Sequence, residues 1–115
     1  NFGIVTAHYK TLKLNFPRLK RNILEGEIIY IDHFGNLITN IDEKTFRDFT
    51  QDKKFKIRIG KFLIDKLSLN YTEEKPFKPI ALIDSFGYLE ISLRENNASE
   101  ILGLKRGNKI KIELS

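Results

Sequence analysis

The sequence predicts an all-β fold: a small β-barrel or sandwich with two short helical turns. Apolar and polar residues alternate with period two in several short stretches, as in 54–59 (KFKIRI) and 109–114 (KIKIEL). Gly-containing turn signals recur between them at close spacing. Helical patterning is confined to two brief stretches.

Taken in order, residues 1–22 are the least regular and are expected to be an N-terminal interdomain or linker segment ahead of a barrel domain at 23–115. Within that segment Tyr9 to Phe16 could form a strand, with Leu12, Leu14 and Phe16 on one face, and Pro17 would set it apart from the barrel. The run 28–31 (IIYI) lacks alternation, as does 80–83 (IALI). Both faces of these two strands should be covered, by the core on one side and by another domain or subunit on the other. Asp42 is placed to cap a short helix through Phe49, with Phe46 and Phe49 turned inward. In 54–59, Phe55, Ile57 and Ile59 share one strand face and three cations the other; Gly60-Lys61 suits a two-residue hairpin turn, and 62–64 runs back. Residues 71–79 read as a Pro-containing polar loop, and 88–93 as a strand. Asn97 should cap a helix from Ala98 to Leu102, with Glu100 in the capping-box position and Gly103 ending it. The Lys105-Arg106-Gly107-Asn108 turn leads into the last strand.

At 115 residues the chain fits one domain with a real core, and its 41% hydrophobic and 30% charged content is ordinary for a soluble globular protein. No apolar run approaches the roughly 20 residues a membrane-spanning helix needs. Residue 1 is Asn rather than Met, so a processed or excised piece of a longer polypeptide is expected. The absence of Cys excludes disulfides, thiolate catalysis and Cys-ligated zinc, and fits a reducing, cytoplasmic location. The net charge of +5 has a definite place. Lys10, Lys13, Arg18, Lys20 and Arg21 precede Glu25 with no acid among them, so the remaining 15 basic residues balance the 15 acids. A basic N-terminal segment can serve as a phosphate-binding arm, or simply as a solvated linker or an edge strand.

Two constellations could carry chemistry, and they share a design. Residues 31–36 (IDHFGN) and 83–88 (IDSFGY) each take an apolar strand into Asp, then a polar residue, Phe, Gly and a second strand. As plain hairpin turns, their Asp and Ser would make local backbone bonds and their Phe would plug the barrel end. As a ligand site, strand ends at a barrel mouth would converge on one pocket. Two turns that both place Phe beside Gly exceed what tight turning requires. His8 and His33, the only imidazoles, are too far apart in sequence to suggest a metal site, and His33 reads as a turn histidine. Asp65, Glu73 and Glu74 read as surface charges. No Ser-His-Asp spacing, phosphate loop or metal motif is present, so no catalytic residue or metal ligand is assigned to this chain. The stretch 94–98 (RENNA) leads into a helix N-terminus, where free N–H groups can meet acceptors of a ligand or be capped locally.

Together, GEIIYIDHFGNLITNI (26–41) and ALIDSFGYLEISLRENNASEILGLKRGNKIKI (81–112) closely resemble the C-terminal domain of the S-adenosyl-L-methionine hydroxide adenosyltransferases. These are hydrolase relatives of the chlorinase and fluorinase enzymes. The resemblance implies an N-terminal α/β domain joined to this barrel, assembly as a homotrimer, and S-adenosyl-L-methionine held between the N-terminal domain of one subunit and the barrel of its neighbour. Hydroxide then attacks ribose C5′, releasing methionine and adenosine, with the water-activating groups in the N-terminal domain. No separate cofactor is implied, S-adenosyl-L-methionine being the substrate, and this chain alone is expected to be inactive. By the same resemblance Asp32 pairs with the methionine ammonium, Phe34 packs beside the adenosine and Asn36 hydrogen-bonds the purine. Ser85 meets the methionine carboxylate, and Tyr71 lies near the position of a second aromatic that sandwiches the adenine. The backbone at Arg94, Asn97 and Ala98 meets the adenine edge. Phe86 follows the serine where halogenating relatives carry a different residue, which resembles the hydroxide-using branch.

Two other readings stay open. A non-catalytic barrel could bind single-stranded nucleic acid through aromatic stacking and the basic N-terminal segment, although the neutral body makes nucleic acid the less expected partner. A purely structural trimerisation domain would have let the polar groups at Asp32, Asn36 and Ser85 decay.

Overall fold

The structure is a computed structural model that describes residues 17–68, 78–93 and 97–114. Its strands are β1 (Arg18–Lys20), β2 (Ile23–Ile31), β3 (Leu37–Asp42), β4 (Phe55–Ile59), β5 (Phe62–Ile64), β6 (Ile80–Ile83), β7 (Tyr88–Ser92) and β8 (Lys109–Leu114). Two helices, α1 (Glu43–Thr50) and α2 (Ala98–Leu102), follow β3 and β7. The strands form one antiparallel sheet in the order β5-β4-β8-β2-β3-β7-β6, with β1 paired to β2. The two ends of this order approach each other: Leu67 bridges Ala81 of β6, and Ser68 N donates to Ala81 O at 2.7 Å. The result is the nearly closed barrel that the alternating pattern predicts.

Side-chain alternation builds the core row by row. Leu24, Ile112, Ile57 and Ile64 lie side by side across β2, β8, β4 and β5, and all four are buried. Moving one residue along each strand gives Glu25, Lys111, Arg58 and Leu63, the outward row. Each buried Ile or Leu of the inner row contributes roughly 1.5–3 kcal/mol by leaving water.

Besides its pairing with β1, the long strand β2 changes partner midway. Residues 23–27 pair with β8, and from Ile28 on it pairs with β3, with a bulge between Ile28 and Tyr30. Gly26 sits at this changeover. A Cβ there would lie 2.6 Å from Asn40 Oδ1 and 2.7 Å from Ile41 Cγ1. Asn40 Oδ1 in turn accepts from Glu27 N at 2.9 Å, so the side chain crossing over Gly26 stitches β3 to β2. A second irregularity lies in β3 opposite β7, between Ile38 and Asp42. There the buried Thr39 hydroxyl donates to Leu89 O at 2.8 Å and accepts from Ile41 N at 3.2 Å, pairing backbone groups near the disrupted ladder.

Both helices start where the sequence signals place them; α1 runs one residue past the expected Phe49, to Thr50, and α2 stops as expected. Asp42 caps α1, accepting from Thr45 N; Phe46 is buried and Phe49 packs half-buried against the core. Asn97 caps α2 through Glu100 N, and Gly103 ends it in the left-handed region. This is the forward half of the expected capping box, with Asn97 Oδ1 accepting at 3.0 Å.

Two expectations change. Arg18–Lys20, placed by sequence in the N-terminal segment, pairs with Ile23–Glu25 as β1 and so joins the sheet. The apolar strands are covered largely within this chain: Ile28, Ile29, Ile80, Ala81 and Leu82 are buried, while Tyr30, Ile31 and Ile83 are half-buried. The proposed strand at Tyr9 to Phe16 and nearly all of the 71–79 loop lie outside the described residues.

Candidate functional site

The two Asp-x-Phe-Gly turns close hairpins β2–β3 and β6–β7 with one hydrogen-bond plan. Asp32 Oδ1 accepts from Phe34 N and Asn36 N, each at 2.9 Å. Asp84 Oδ1 accepts from Phe86 N at 2.9 Å and Tyr88 N at 3.0 Å. The backbones match as well: Gly35 N donates to Asp32 O and Asp32 N to Asn36 O, while Gly87 N donates to Asp84 O and Asp84 N to Tyr88 O. Gly35 and Gly87 take φ of 83° and 89°, the left-handed conformation that the plan requires at that position. The local backbone bonds expected of a hairpin turn are therefore present for both Asp residues.

The phenyl rings do something else. Phe34 is 73% exposed and Phe86 48%, so neither plugs the barrel end. His33 packs edge-on against Phe34 with ring centroids 5.3 Å apart, which helps hold that ring at the surface. Beside it Asn36 is buried, and its Nδ2 donates to Asp32 Oδ2 at 3.0 Å. That bond fixes the amide's orientation and leaves Asn36 Oδ1 as an acceptor with no donor among the described residues. An exposed aromatic face beside an oriented carboxamide acceptor suits a flat ligand that carries N–H donors.

Each turn also meets a helix start, and the exchange is reciprocal. Gly35 O accepts from Ser99 N at 2.9 Å, at the start of α2, while Gly87 O accepts from Glu43 N at 2.8 Å, at the start of α1. Asn97 lies so close over Gly35 that a Cβ on the glycine would sit 2.0 Å from Asn97 Oδ1. Asp32, Phe34, Asn36, Asn97 and the buried Ala98 thus form one cluster.

Ser85 and Phe86 belong to a second. Strand β7 runs antiparallel to β3, with Leu37 opposite Ile91 and Asp42 opposite Tyr88. The first turn therefore adjoins the far end of β7, and the second adjoins the far end of β3. The turns open at opposite ends of the shared ladder. Three residue steps of β7 separate those ends, about 10 Å at the usual strand rise. An open cavity of about 320 Å³ lies at the seam between β5 and β6, lined by Lys56, Lys66, Lys78, Asp65 and Ser68 among others. It contains none of the predicted site residues.

Tyr71 and Arg94 lie outside the described residues, as does His8. One feature of β7 was not anticipated from the sequence: Glu90 and Ser92 are buried, and Ser92 Oγ donates to Glu90 Oε2. Their cross-strand neighbours Ile38, Leu82 and Ile80 are buried too, so this face of the sheet is covered. An unbroken apolar β6 was the available signal that its neighbour's polar residues would be enclosed. Among the described residues no group of three or more His, Asp or Glu could hold a metal ion, and no helix is long and apolar enough to cross a membrane.

Comparison with known proteins identifies the family and the fold. Residues 26–111 match the family described as "SAM hydroxide adenosyltransferase C-terminal domain". The chain is 43% identical over 91 residues to "(R)-S-adenosyl-L-methionine hydrolase" of Methanocaldococcus jannaschii, covering 74% of this chain and 34% of that protein. It is 27% identical over 88 residues to the protein of the same name from Thermus thermophilus, covering 76% and 31%. The chain thus spans about a third of the length of these curated relatives. Among solved structures, an uncharacterized conserved protein from Thermotoga maritima superimposes with a TM-score of 0.72 at 27% identity, over 86% of this chain and 39% of that one. A conserved hypothetical protein from Thermus thermophilus gives 0.62 at 27% identity, over 76% and 34%.

Proposed function

The chain belongs to the SAM hydroxide adenosyltransferase C-terminal domain family, and we propose that it is the substrate-gripping domain of an enzyme that hydrolyses S-adenosyl-L-methionine to adenosine and methionine. The observation that carries this reading is the pairing of exposed Phe34 with the buried, oriented amide of Asn36. Phe34 would lie against the adenosine and Asn36 Oδ1 would accept from the purine amino group. Asn97 and Ala98, at the start of α2, would border the adenine edge together with Arg94, and Tyr71 would cover its other face. Ser85 would donate to the methionine carboxylate from the second turn, and Phe86 would flank it. The elongated substrate, with a purine at one end and an amino acid at the other, matches two clusters spaced along β7. Asp32 would face the ammonium. Its carboxylate already accepts three hydrogen bonds, from Phe34 N, Asn36 N and Asn36 Nδ2, and so keeps one of about four lone-pair positions.

In this reaction a hydroxide oxygen bonds to ribose C5′ as the C5′–S bond breaks and its electron pair returns to sulfur. Methionine leaves as a neutral thioether, so no general acid is needed. Holding the two ends of the substrate lines up the C5′–S bond for in-line attack and contributes through orientation. Activation of the water would come from the α/β domain of a neighbouring subunit in a cytoplasmic homotrimer. Nucleic-acid binding has less support. The outward row mixes signs, with Arg58 on Glu113 at 2.7 Å, Lys109 on Glu27 at 3.4 Å and Lys20 on Glu25 at 3.9 Å.

The test uses the complete polypeptide that carries this domain. Incubated with S-adenosyl-L-methionine, it is expected to release adenosine and methionine in equal amounts, and an Asp32→Ala variant to release far less. A folded, assembled protein that leaves the substrate intact would overturn the proposal.

A further inference from the structure

The sheet stops short of full closure, and the gap it leaves is lined by charge. Strands β5 and β6 end the strand order, and the Leu67–Ala81 bridge with the Ser68 N to Ala81 O bond of 2.7 Å pins the two sides together. The cavity of about 320 Å³ opens at this seam. Three parts of the chain bring one lysine each to its lining: Lys56 from the outward face of β4, Lys66 from just beyond β5 and Lys78 from just before β6. Asp65 is the one acid among the described lining residues, so they carry a formal excess of two positive charges. Leu63 and Pro79 belong to the wall as well, and apolar walls concentrate the field of the charges between them. Lys56 is exposed and makes no ion pair among the described residues. Ser68 lines the same cavity at only 5% exposure, and its hydroxyl has no hydrogen-bond partner among the described residues. A buried hydroxyl left unpaired is an exception that calls for a reason.

We propose that this seam is a binding site for a diphosphate group, carried either by free pyrophosphate or by a nucleotide. An ammonium is a compact charge on a flexible stem, so lysines spaced around an opening can meet oxygens that point in several directions. A diphosphate offers such oxygens, and enough negative charge to engage all three lysines. A planar carboxylate is better served by the paired donors of a guanidinium, and no Arg is among the described lining residues. Ser68 adds a neutral O–H donor, and a ligand oxygen beside it supplies the missing partner. The volume falls at the lower end of the range for small-molecule sites, about 300–1,000 Å³, which suits the free anion or the phosphate end of a nucleotide. A bound diphosphate also spans the seam, because Lys56 stands on the β4–β5 side and Lys78 on the β6 side. None of the described residues expected to touch S-adenosyl-L-methionine lines the cavity, so the inference does not rest on that reading.

The test is calorimetric titration of the complete polypeptide with pyrophosphate and with adenosine triphosphate, at fixed ionic strength and without divalent cations. Saturable binding of one anion per chain is expected. Lys56→Gln should weaken it roughly 3-fold to 10-fold, between the worth of an exposed ion pair and that of a charge-assisted hydrogen bond. Ser68→Ala should also weaken it, although no charge changes. The same variant should unfold at or above the wild-type denaturant midpoint, because the hydroxyl it removes has no partner to lose. Lys44→Gln removes the same charge from α1, outside the cavity lining. Screening should hold its affinity within about twofold of wild type. Pyrophosphate that binds at least as tightly as the nucleotide identifies the free anion as the ligand; tighter nucleotide binding identifies the nucleotide. Three results overturn the inference: no saturable binding of either ligand, an affinity that Lys56→Gln or Ser68→Ala leaves unchanged, or equal weakening by Lys44→Gln and Lys56→Gln.

Discussion

Gly35→Ala is the substitution that most directly probes how the first turn is held. Gly35 has φ of 83°, and a Cβ there would meet Asn97 Oδ1 at 2.0 Å and Cγ at 2.1 Å. Three losses follow. An L-residue in this conformation costs about 1–2 kcal/mol. Asn97 must move aside, and losing its cap on Glu100 N costs about 1 kcal/mol more. The Gly35 O to Ser99 N bond, 2.9 Å long, is then strained, and a broken backbone bond adds about 1 kcal/mol. The expected total is about 3–4 kcal/mol. Gly87→Ala is the internal control, because φ is 89° there and nothing lies within 4 Å of its Cβ. It should cost only the conformational share, about 1–2 kcal/mol. Urea unfolding of both variants, with Asn97→Gly combined with each, measures the difference. Removing the Asn97 side chain should recover part of the Gly35→Ala loss and none of the Gly87→Ala loss. Equal costs for the two alanines, or no coupling to Asn97, would refute the packing of the first turn on α2.

Three other substitutions test separate parts of the account. Thr39→Val keeps the shape but leaves Leu89 O and Ile41 N without the hydroxyl that now pairs them; a loss of about 1–3 kcal/mol is expected in denaturant unfolding. Gly26→Ala drives a methyl into Asn40 and Ile41 at the point where β2 changes partner, and overpacking there should cost about 1–3 kcal/mol, read as a lowered Tm. Phe34→Ala should behave oppositely. The ring is 73% exposed, so unfolding should shift by no more than about 0.5 kcal/mol. Its loss as a stacking surface should nonetheless weaken adenosine-end binding by about 1–3 kcal/mol, seen as a raised KM for S-adenosyl-L-methionine.

The fold was largely legible because its signals are local. Alternation in 54–59 and 109–114 identified the faces of two strands that carry Ile57, Ile59, Ile110 and Ile112 into the core, and caps at Asp42 and Asn97 marked the start of both helices. The repeated Asp-x-Phe-Gly design was legible too, down to the Asp bonds within each turn. Three things were not. Arg18–Lys20 carries no apolar pattern, and its pairing on β2 depends on a partner strand rather than on its own residues. The burial of Glu90 depends on what covers a sheet face, which period-two alternation in one strand does not encode. The opposed placement of the two turns depends on β3 meeting β7 antiparallel, a long-range pairing with no local signature.

The measurement that bears most directly on the central claim is hydrolysis of S-adenosyl-L-methionine by the complete polypeptide in ¹⁸O-labelled water, with products examined by mass spectrometry. Attack of water-derived hydroxide on a C5′ held by this barrel predicts one heavy oxygen in the 5′-hydroxyl of adenosine and none in methionine. Unlabelled adenosine, or no adenosine from a folded protein, would contradict it.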